Sequence, residues 1–269
     1  MVSLDKALYL VGDSTIASFD DGYYYPRYGY GTQIPSYLSD KITVINLALS
    51  GRSSKSFLAE ENYTVLKNGL KKGDILVIGF GHNDEKSEDE ARFTDATLSY
   101  TDPRSFGYHL YEYYIKLARE RGAVPVLCTP IVRANSNDDY SALSGHKTPT
   151  GDYSQVIRDL GCAEGVTVVD MTALTRERYK SIGYGEAMYY HAIIEGKYDH
   201  DGVTVVPDLA TVDTTHLNIY GAKYMACLFV SEMDKIGMLS EYILPHVCAP
   251  TMEDLICNPN YTVSEASKR

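Results

Sequence analysis

The sequence predicts a doubly wound α/β fold built around a parallel sheet. Five short apolar runs have the length and β-branched content of strands, and helix-like segments separate them along the chain. The runs lack the polar–apolar alternation of a half-exposed strand, so we expect both of their faces to be buried. Strands that alternate with helices in this way form a parallel sheet covered by helices on both faces.

The elements follow one another without a repeat or a linker. The predicted strands cover residues 7–12, 43–48, 74–80, 124–129 and 166–170. The predicted helices cover residues 31–39, 62–71, 103–121, 152–164 and 217–236. Pro103 suits a first helical turn, and Gly122 suits the stop of the same helix. The polar stretch 133–150 and the irregular stretch 184–212 are predicted to be long loops, which are often functional.

Composition limits the classes of partner. The 269 residues are predicted to form one domain, 1–269, with a core of about 7–236 and a tail at 237–269. A net charge of −11 disfavours nucleic acid and anionic membranes, because affinity for a polyanion comes mainly from Lys and Arg. The start shows no signal peptide or membrane span, which predicts a cytoplasmic protein with reduced cysteines. Cys248 and Cys257 could pair, and the oligomeric state stays open.

Polar motifs follow the predicted strands. GDST (12–15) follows the first strand, LSGRSSKSF (49–57) the second and GHND (81–84) the third, while DTTH (213–216) precedes the last helix. Ligands of doubly wound folds bind at the carboxyl ends of the strands, so these residues are expected at the ligand site. Each motif also has a structural interpretation, because GDST and GHND suit turns and Asp213 or Thr214 suits a helix cap.

In combination, the motifs predict a serine nucleophile with its supporting groups. Asp213 and His216 are three residues apart, about one helical turn, so the carboxylate can orient an imidazole that faces Ser14. An oxyanion needs preorganised donors, which the backbone NH groups of Ser14 and Gly51 and the amide of Asn83 can supply. A side chain at position 51 would obstruct the approach of a substrate.

These motifs resemble those of the GDSL-type, or SGNH, hydrolases. GDST in place of GDSL, together with GRSSKSF at 51–57, is similar to the rhamnogalacturonan acetylesterase branch, carbohydrate esterase family 12. The resemblance extends to residues 118–130 and 216–222 and covers most of residues 7–236. It implies a flavodoxin-like three-layer α/β/α fold with a five-stranded parallel sheet.

The resemblance also implies a role for each site residue. Ser14 would be the nucleophile, Gly51 and Asn83 the oxyanion donors, His216 the base and Asp213 its partner. The expected activity is removal of acetyl groups from acetylated oligosaccharides, of the pectic rhamnogalacturonan type, through an acyl-enzyme.

Further side chains are candidate contacts for the sugar. Arg52 and Lys55, close to Gly51, could face a uronic-acid carboxylate, and Asp13 and His82 are additional candidates. The segment 184–212 and the tail have no counterpart that we can place in the family, so they leave the sugar open.

Other functions compete with this interpretation. A GDSL-type lipase or lysophospholipase, or an acetylxylan esterase, would use the same chemistry, although the polar loops favour a small acyl group on a hydrophilic carrier. A flavodoxin-like binding protein would also carry a Ser/Thr-rich first loop, but Asp13 would repel its phosphate. A non-catalytic sugar-binding protein would need a decayed site, and none of the five site residues is lost.

Residues 199–201 (Asp-His-Asp) with His82 are metal candidates, but Asp-Gly at 201–202 is typical of a turn. The sequence therefore predicts no metal and no cofactor.

Overall fold

The centre of the fold is a five-stranded parallel sheet with helices on both faces. The computed structural model describes residues 6–19, 27–135, 137–140, 145–193 and 212–244. The strands are β1 (Lys6–Gly12), β2 (Ile42–Asn46), β3 (Ile75–Gly79), β4 (Val124–Cys128) and β5 (Thr167–Val169). They lie in the order β2-β1-β3-β4-β5, and all four neighbouring pairs are parallel. The predicted fold class and all five predicted strands are therefore confirmed.

Successive residues of β1 point to opposite faces of the sheet, and both faces are buried. Leu8 and Leu10 belong to one apolar core, which includes Phe229 from the last helix. Tyr9 and Val11 belong to a second core on the opposite face. Apolar side chains are thus needed on both faces of the strand, which explains why the sequence shows no alternation.

Six α-helical segments cover the sheet within the described residues. They are α1 (Glu61–Gly69), α2 (Phe106–Leu110), α3 (Lys116–Arg121), α4 (Tyr153–Glu164), α5 (Met171–Ala187) and α6 (Ile219–Lys235). A π-helical turn, Tyr111–Ile115, joins α2 to α3. The predicted helix at 103–121 begins three residues late, because the Ser105 side chain caps it by accepting the NH of Tyr108. None of these helices is long and apolar enough to cross a membrane.

Two predicted elements differ from the structure. The predicted helix at 31–39 consists of two 3₁₀ turns, Tyr30–Thr32 and Ile34–Tyr37. Pro35 has no NH for a continuous helix, and glycine is a weak helix former, so only single turns persist. The sequence interpretation also missed α5, which the Asp170 side chain caps by accepting the NH of Ala173.

The irregular stretch before the last helix is partly a hairpin. Strand β6 (His191–Ile193) pairs with β7 (Val212–Leu217) in antiparallel fashion, and residues 194–211, with the 199–201 metal candidates, lie outside the described residues. The predicted helix at 217–236 starts at Ile219, because Leu217 belongs to β7. A shorter hairpin, Lys147–Thr148 with Gly151–Asp152, interrupts the predicted loop at 133–150.

Part of the predicted tail packs against the sheet domain. Ile243 forms a β-bridge with Leu38, and the NH of Ser39 donates to the carbonyl oxygen of Tyr242. Residues 245–269, which include Cys248 and Cys257, lie outside the described residues. The single-domain organisation over 1–269 stays a prediction.

The strand order determines where a ligand can bind. The chain leaves β1 to form β2 on one side and returns to form β3 on the other. The loops after β1 and β3 therefore leave the sheet in different directions, and a crevice opens at this switch point. GDST and GHND are the residues that stand there.

Candidate active site

Ser14 lies on a tight turn at the carboxyl end of β1. Two backbone NH groups further along the turn donate to the carbonyl oxygen of Asp13, at 3.1 and 3.0 Å. Gly12 allows this turn, because a Cβ there would come within 2.4 Å of the carbonyl oxygen of Gly79 on β3. The side chain of Ser14 therefore stands at the edge of the sheet.

Ser14, His216 and Asp213 form a continuous hydrogen-bonded relay. The Nδ1 atom of His216 lies 2.7 Å from Oδ2 of Asp213, and Nε2 lies 2.9 Å from Oγ of Ser14. A carboxylate only accepts, so Nδ1 carries the hydrogen and Nε2 of the neutral ring accepts from the Ser14 hydroxyl. The structure thus brings together the three residues that the sequence motifs predict, in the order that proton transfer requires.

Hydrogen-bond donors around Asp213 keep its carboxyl group ionised. Its Oδ1 accepts the backbone NH groups of Thr215 and His216 at 3.0 and 3.1 Å, and Arg27 Nε donates to Oδ2 at 3.1 Å. Burial alone would raise the pKa of the Asp213 carboxyl, but the hydrogen bond and charge of His216 and the backbone donors hold it well below its usual range. A permanent negative charge therefore faces the His216 ring.

An irregular hairpin aims His216 at Ser14. On β6, His191 pairs with Leu217 and the next residue, Ala192, pairs with Asp213. One step on β6 thus spans four residues of β7, and residues 214–216 bulge out of the ladder. Bulges of this kind re-aim side chains next to functional sites. The expected helical spacing of the Asp–His pair is therefore wrong, and the carboxylate reaches the ring across a turn.

Two buried side chains hold this bulge in place. His191 Nδ1 donates to the carbonyl oxygen of His216 at 3.2 Å, and its Nε2 accepts from the hydroxyl of Tyr179 at 2.7 Å. Burial lowers the pKa of His191 to about 4, so the ring is neutral near neutral pH.

Asn218 caps α6 by accepting the NH of Gly221, so neither Asp213 nor Thr214 is the cap.

Three donors surround the space in front of Ser14. In the described part of the chain, the backbone NH groups of Ser14 and Gly51 donate no hydrogen bond to the protein. Asn83 Nδ2 donates to the carbonyl oxygen of Arg52 at 3.1 Å, which orients the amide and leaves its second hydrogen available. Gly51 has a φ of 75°, and a Cβ there would contact nothing within 4 Å. Backbone conformation, and not crowding by the protein, therefore favours glycine at this position.

A buried carboxylate braces the two donor loops against each other. Asp84, next to Asn83, accepts the NH and hydroxyl of Ser54 and the hydroxyl of Thr94. Burial raises the pKa of Asp84 to about 7, although these hydrogen bonds oppose the shift. The Tyr114 hydroxyl donates to the carbonyl oxygen of Ser54 at 2.8 Å. The loops that carry Gly51 and Asn83 are thus cross-linked beneath the cleft.

The cleft in front of Ser14 is polar and carries three cations. It has a volume of about 290 Å³. Its lining residues are Ser14, Ser50, Gly51, His82, Asn83, Lys86, Arg92, Arg133, Thr215 and His216. Arg92 pairs with Asp89 and Arg133 with Glu85, whereas Lys86 has no ion-pair partner among the described residues. Burial and the two arginines lower the pKa of Lys86. The positive charges that line this cleft would attract an anionic group of a ligand.

The candidate substrate contacts from the sequence divide into two groups. His82 lines the cleft, whereas Asp13, Arg52 and Lys55 do not. Asp13 is fully buried and accepts the NH and hydroxyl of Thr15, which stabilises the Ser14 turn. Arg52 pairs with a nearby glutamate, and Lys55 donates to a backbone carbonyl at the edge of another cleft. Substrate binding by these four residues stays a prediction, which the placement favours only for His82.

One group of side chains beside the cleft can hold a metal ion. His82, Glu85 and His146 each offer a ligand atom, and these atoms lie within 4.8 Å of one another. Burial lowers the pKa of His82 well below its usual value, so its ring is neutral. From the sequence, His82 is a candidate metal ligand together with residues 199–201. The structure instead places His82 near Glu85 and His146.

Several residues of the site have no local signal in the sequence. Arg27, His191, Lys86 and Arg133 come from four separate segments and meet only in the fold. For Arg133 the sequence gives one indication. Arg133 begins the polar stretch 133–150, which is predicted to be a long loop, and such loops are often functional.

Comparisons with known proteins agree with this geometry. The sequence profile of the GDSL-like Lipase/Acylhydrolase family matches residues 10–219. The chain is 28% identical over 238 residues to "Probable rhamnogalacturonan acetylesterase YesY" of Bacillus subtilis (strain 168), which covers 88% of this chain and 97% of that protein. It is 27% identical over 232 residues to "Rhamnogalacturonan acetylesterase RhgT" of the same organism. This alignment covers 86% of this chain and 90% of that protein.

A solved structure shares the fold. The crystal structure of the Bacillus subtilis protein YxiM superposes with a TM-score of 0.64 at 24% identity. The match covers 87% of this chain and 57% of the YxiM chain. At this identity the likeness supports the architecture alone.

Proposed function

Because the chain belongs to the GDSL-like lipase/acylhydrolase family and is thus a carboxylic ester hydrolase, we propose that it is a carbohydrate acetylesterase. Its substrates would be acetylated pectic oligosaccharides of the rhamnogalacturonan type. The observation that carries the chemistry is the relay from Ser14 through His216 to Asp213, with hydrogen bonds of 2.9 and 2.7 Å. The names of the two relatives support the substrate class.

In the proposed first half-reaction, His216 takes the proton from Ser14 as its Oγ attacks the acetyl carbonyl carbon. The carbonyl oxygen becomes an oxyanion that accepts from the NH groups of Ser14 and Gly51 and the amide of Asn83. Such preorganised donors contribute roughly 3–4 kcal/mol each to transition-state stabilisation. As the intermediate collapses, the sugar hydroxyl leaves with the proton from His216, and Ser14 carries the acetyl group.

In the second half-reaction, His216 takes a proton from water, which attacks the acetyl-Ser14 ester. The same donors stabilise the second oxyanion, and the proton returns to Ser14 as acetate leaves. Asp213 keeps the Nδ1 hydrogen in place and stabilises the imidazolium that forms in each step.

The cleft favours a hydrophilic, acidic carrier of the acetyl group. Lys86 is partly buried, lines the cleft together with Arg92 and Arg133, and has no carboxylate partner within ion-pair distance among the described residues. A uronic-acid carboxylate would supply one. The net charge of −11 favours short oligosaccharides over intact pectin, because a long polyanion would be repelled.

A panel of esters tests the substrate class. We expect p-nitrophenyl acetate to be cleaved much faster than the octanoate, and acetylated pectic oligosaccharides faster than acetylated xylan oligosaccharides. A lipase would gain about 0.8 kcal/mol for each buried methylene, so a rate that climbs towards octanoate would establish the lipase alternative instead. Preference for xylan would keep the chemistry and change the sugar.

A matched pair of lysine variants tests the carboxylate contact. Lys86→Gln should raise KM for a charged oligosaccharide and leave p-nitrophenyl acetate kinetics unchanged. Lys55→Gln, whose ammonium lies outside the cleft, is the control and should change neither. Equal effects on both substrates by Lys86→Gln would mean that the lysine supports the loop and does not contact the sugar.

A further inference from the structure

His82, Glu85 and His146 meet beside the cleft but take no part in the Ser14–His216–Asp213 relay. His82 and Glu85 lie on the loop after β3, and His146 precedes the short hairpin that begins at Lys147. The two imidazoles are 3% and 1% exposed and pack edge to face, with ring centroids 4.4 Å apart. The proposed acyl transfer needs none of these three side chains.

His82 is a buried side chain whose polar atoms are unpaired. Among the described residues, neither Nδ1 nor Nε2 of this ring has a hydrogen-bond partner. A buried polar atom without a partner costs free energy, so such atoms are rare in native proteins unless they serve a function. A neutral imidazole offers one bare nitrogen, which is the group that binds a metal ion.

His146 and Glu85 bring a ring nitrogen and a carboxylate oxygen close together. His146 Nε2 lies 2.8 Å from the carbonyl oxygen of Ile131, which only accepts, so Nε2 carries the hydrogen. In the neutral ring, Nδ1 is then bare, and it lies 3.2 Å from the carboxylate atom Oε2 of Glu85. A bare imidazole nitrogen and a carboxylate oxygen at this distance are two ligand atoms that one metal ion can bind together.

We propose that His82, Glu85 and His146 form a binding site for one divalent transition-metal ion of the Zn²⁺ type. Two imidazole nitrogens and one carboxylate oxygen are a ligand set that Zn²⁺ takes in proteins. In a tetrahedral site with bonds of about 2.0–2.1 Å, neighbouring ligand atoms are separated by about 3.3 Å. The 3.2 Å gap between Glu85 and His146 is close to such an edge. His82 also lines the cleft, so the site lies beside the space in front of Ser14.

Arg133 is the cation that competes with the metal ion. Its Nη2 lies 2.6 Å from Oε1 of Glu85, and its Nη1 lies 3.5 Å from His146 Nδ1. The guanidinium uses one carboxylate oxygen and leaves Oε2 for the ion. Because like charges repel, removal of Arg133 should tighten metal binding, an effect opposite to that of removing a ligand.

Calorimetric titration of the full chain with ZnCl₂, after removal of metal by chelator and dialysis, tests the site. We expect one Zn²⁺ per chain and a rise in Tm at saturation, since an ion that binds the folded state stabilises it. His82→Gln and His146→Gln should each weaken binding at least tenfold, and Arg133→Gln should strengthen it. Co²⁺ should give visible absorption bands in the wild type that both histidine variants lose.

Two control variants show whether Zn²⁺ binds at these three residues and independently of the relay. His109→Gln removes a histidine that lines another cleft and should leave Zn²⁺ binding unchanged. Ser14→Ala should bind Zn²⁺ like the wild type, so loss of esterase activity and loss of metal are independent. If the wild type binds less than one Zn²⁺, or if both histidine variants bind as tightly, the proposal is wrong.

Discussion

The loops at the edge of the sheet and the hairpin with His216 support their parts of the site in different ways. Ser14, Gly51 and Asn83 follow three adjacent strands, and short-range turns and the Asp84 brace hold them. His216 stands on a bulge that depends on contacts from distant segments, namely Arg27 and His191. The rigid sheet presents the nucleophile and the donors, whereas the hairpin must be positioned by tertiary contacts. Substitutions in the two regions should therefore fail in different ways.

The largest effect should come from breaking the link between the two regions. Ser14→Ala and His216→Ala should each lower esterase kcat by roughly 10³-fold or more, because they share one proton-transfer unit. The double variant should lose little more than either single one. Steady-state kinetics with p-nitrophenyl acetate measure this, and a tenth of wild-type activity in either folded variant would refute the assignment.

Within the sheet-edge group, Asn83 should matter only in the transition state. Asn83→Ala should lower kcat by roughly 10²–10³-fold with little change in KM, as loss of an oxyanion donor does elsewhere. The split between kcat and KM is the readout. If KM rises while kcat holds, Asn83 binds substrate and does not stabilise the oxyanion.

The hairpin should be sensitive to acid. His191 is neutral in the folded protein with a pKa of about 4, against about 6.5 when unfolded, so the unfolded chain binds more protons between these values. The free energy of unfolding should therefore fall as pH drops from 6.5 to 4, by up to about 3 kcal/mol from this residue.

Denaturant titrations across this pH range check the His191 prediction. His191→Gln should remove the His191 share of this acid dependence while it keeps a hydrogen-bonding side chain at the position, and the share of His82, whose pKa burial also lowers, should remain. An identical pH dependence in the variant and the wild type would show that another group is responsible.

The smallest effect should come from Arg27, which pairs with Asp213 from a partly exposed position. Such ion pairs contribute about 0–1 kcal/mol, so Arg27→Gln should lower kcat/KM by roughly fivefold at most. Asp213→Asn is the contrast, because it imposes the wrong ring tautomer on His216 and should cost far more than fivefold. A loss of similar size in both variants would mean that Arg27, and not the turn donors, holds the carboxylate.

The same contrast explains what could be predicted from the sequence. The strands are buried on both faces, so continuous apolar runs mark them, and the residues at their ends follow from the fold class. Helix α5 was missed because its weak apolar stripe is interrupted at Gly183, where φ is 77°. Helical spacing was assigned to Asp213 and His216 because the pairing of β7 with β6 has no short-range pattern.

The cations of the cleft show a second limit of sequence reasoning. Arg52 and Lys55 are close to Gly51 along the chain, but Arg52 turns towards Glu60 and Lys55 towards another cleft. Lys86 and Arg133 are distant in sequence and line the cleft. Proximity along the chain does not specify side-chain direction outside regular elements, and long-range packing decides it here.

Peptide mapping after reaction with a serine-directed fluorophosphonate tests the central claim most directly, because it identifies the nucleophile without assuming a substrate. We predict a single covalent adduct on the peptide that contains Ser14, none in Ser14→Ala, and labelling slowed by at least about 10²-fold in His216→Ala. An adduct on another residue, or labelling of Ser14 at an unchanged rate without His216, would contradict the account.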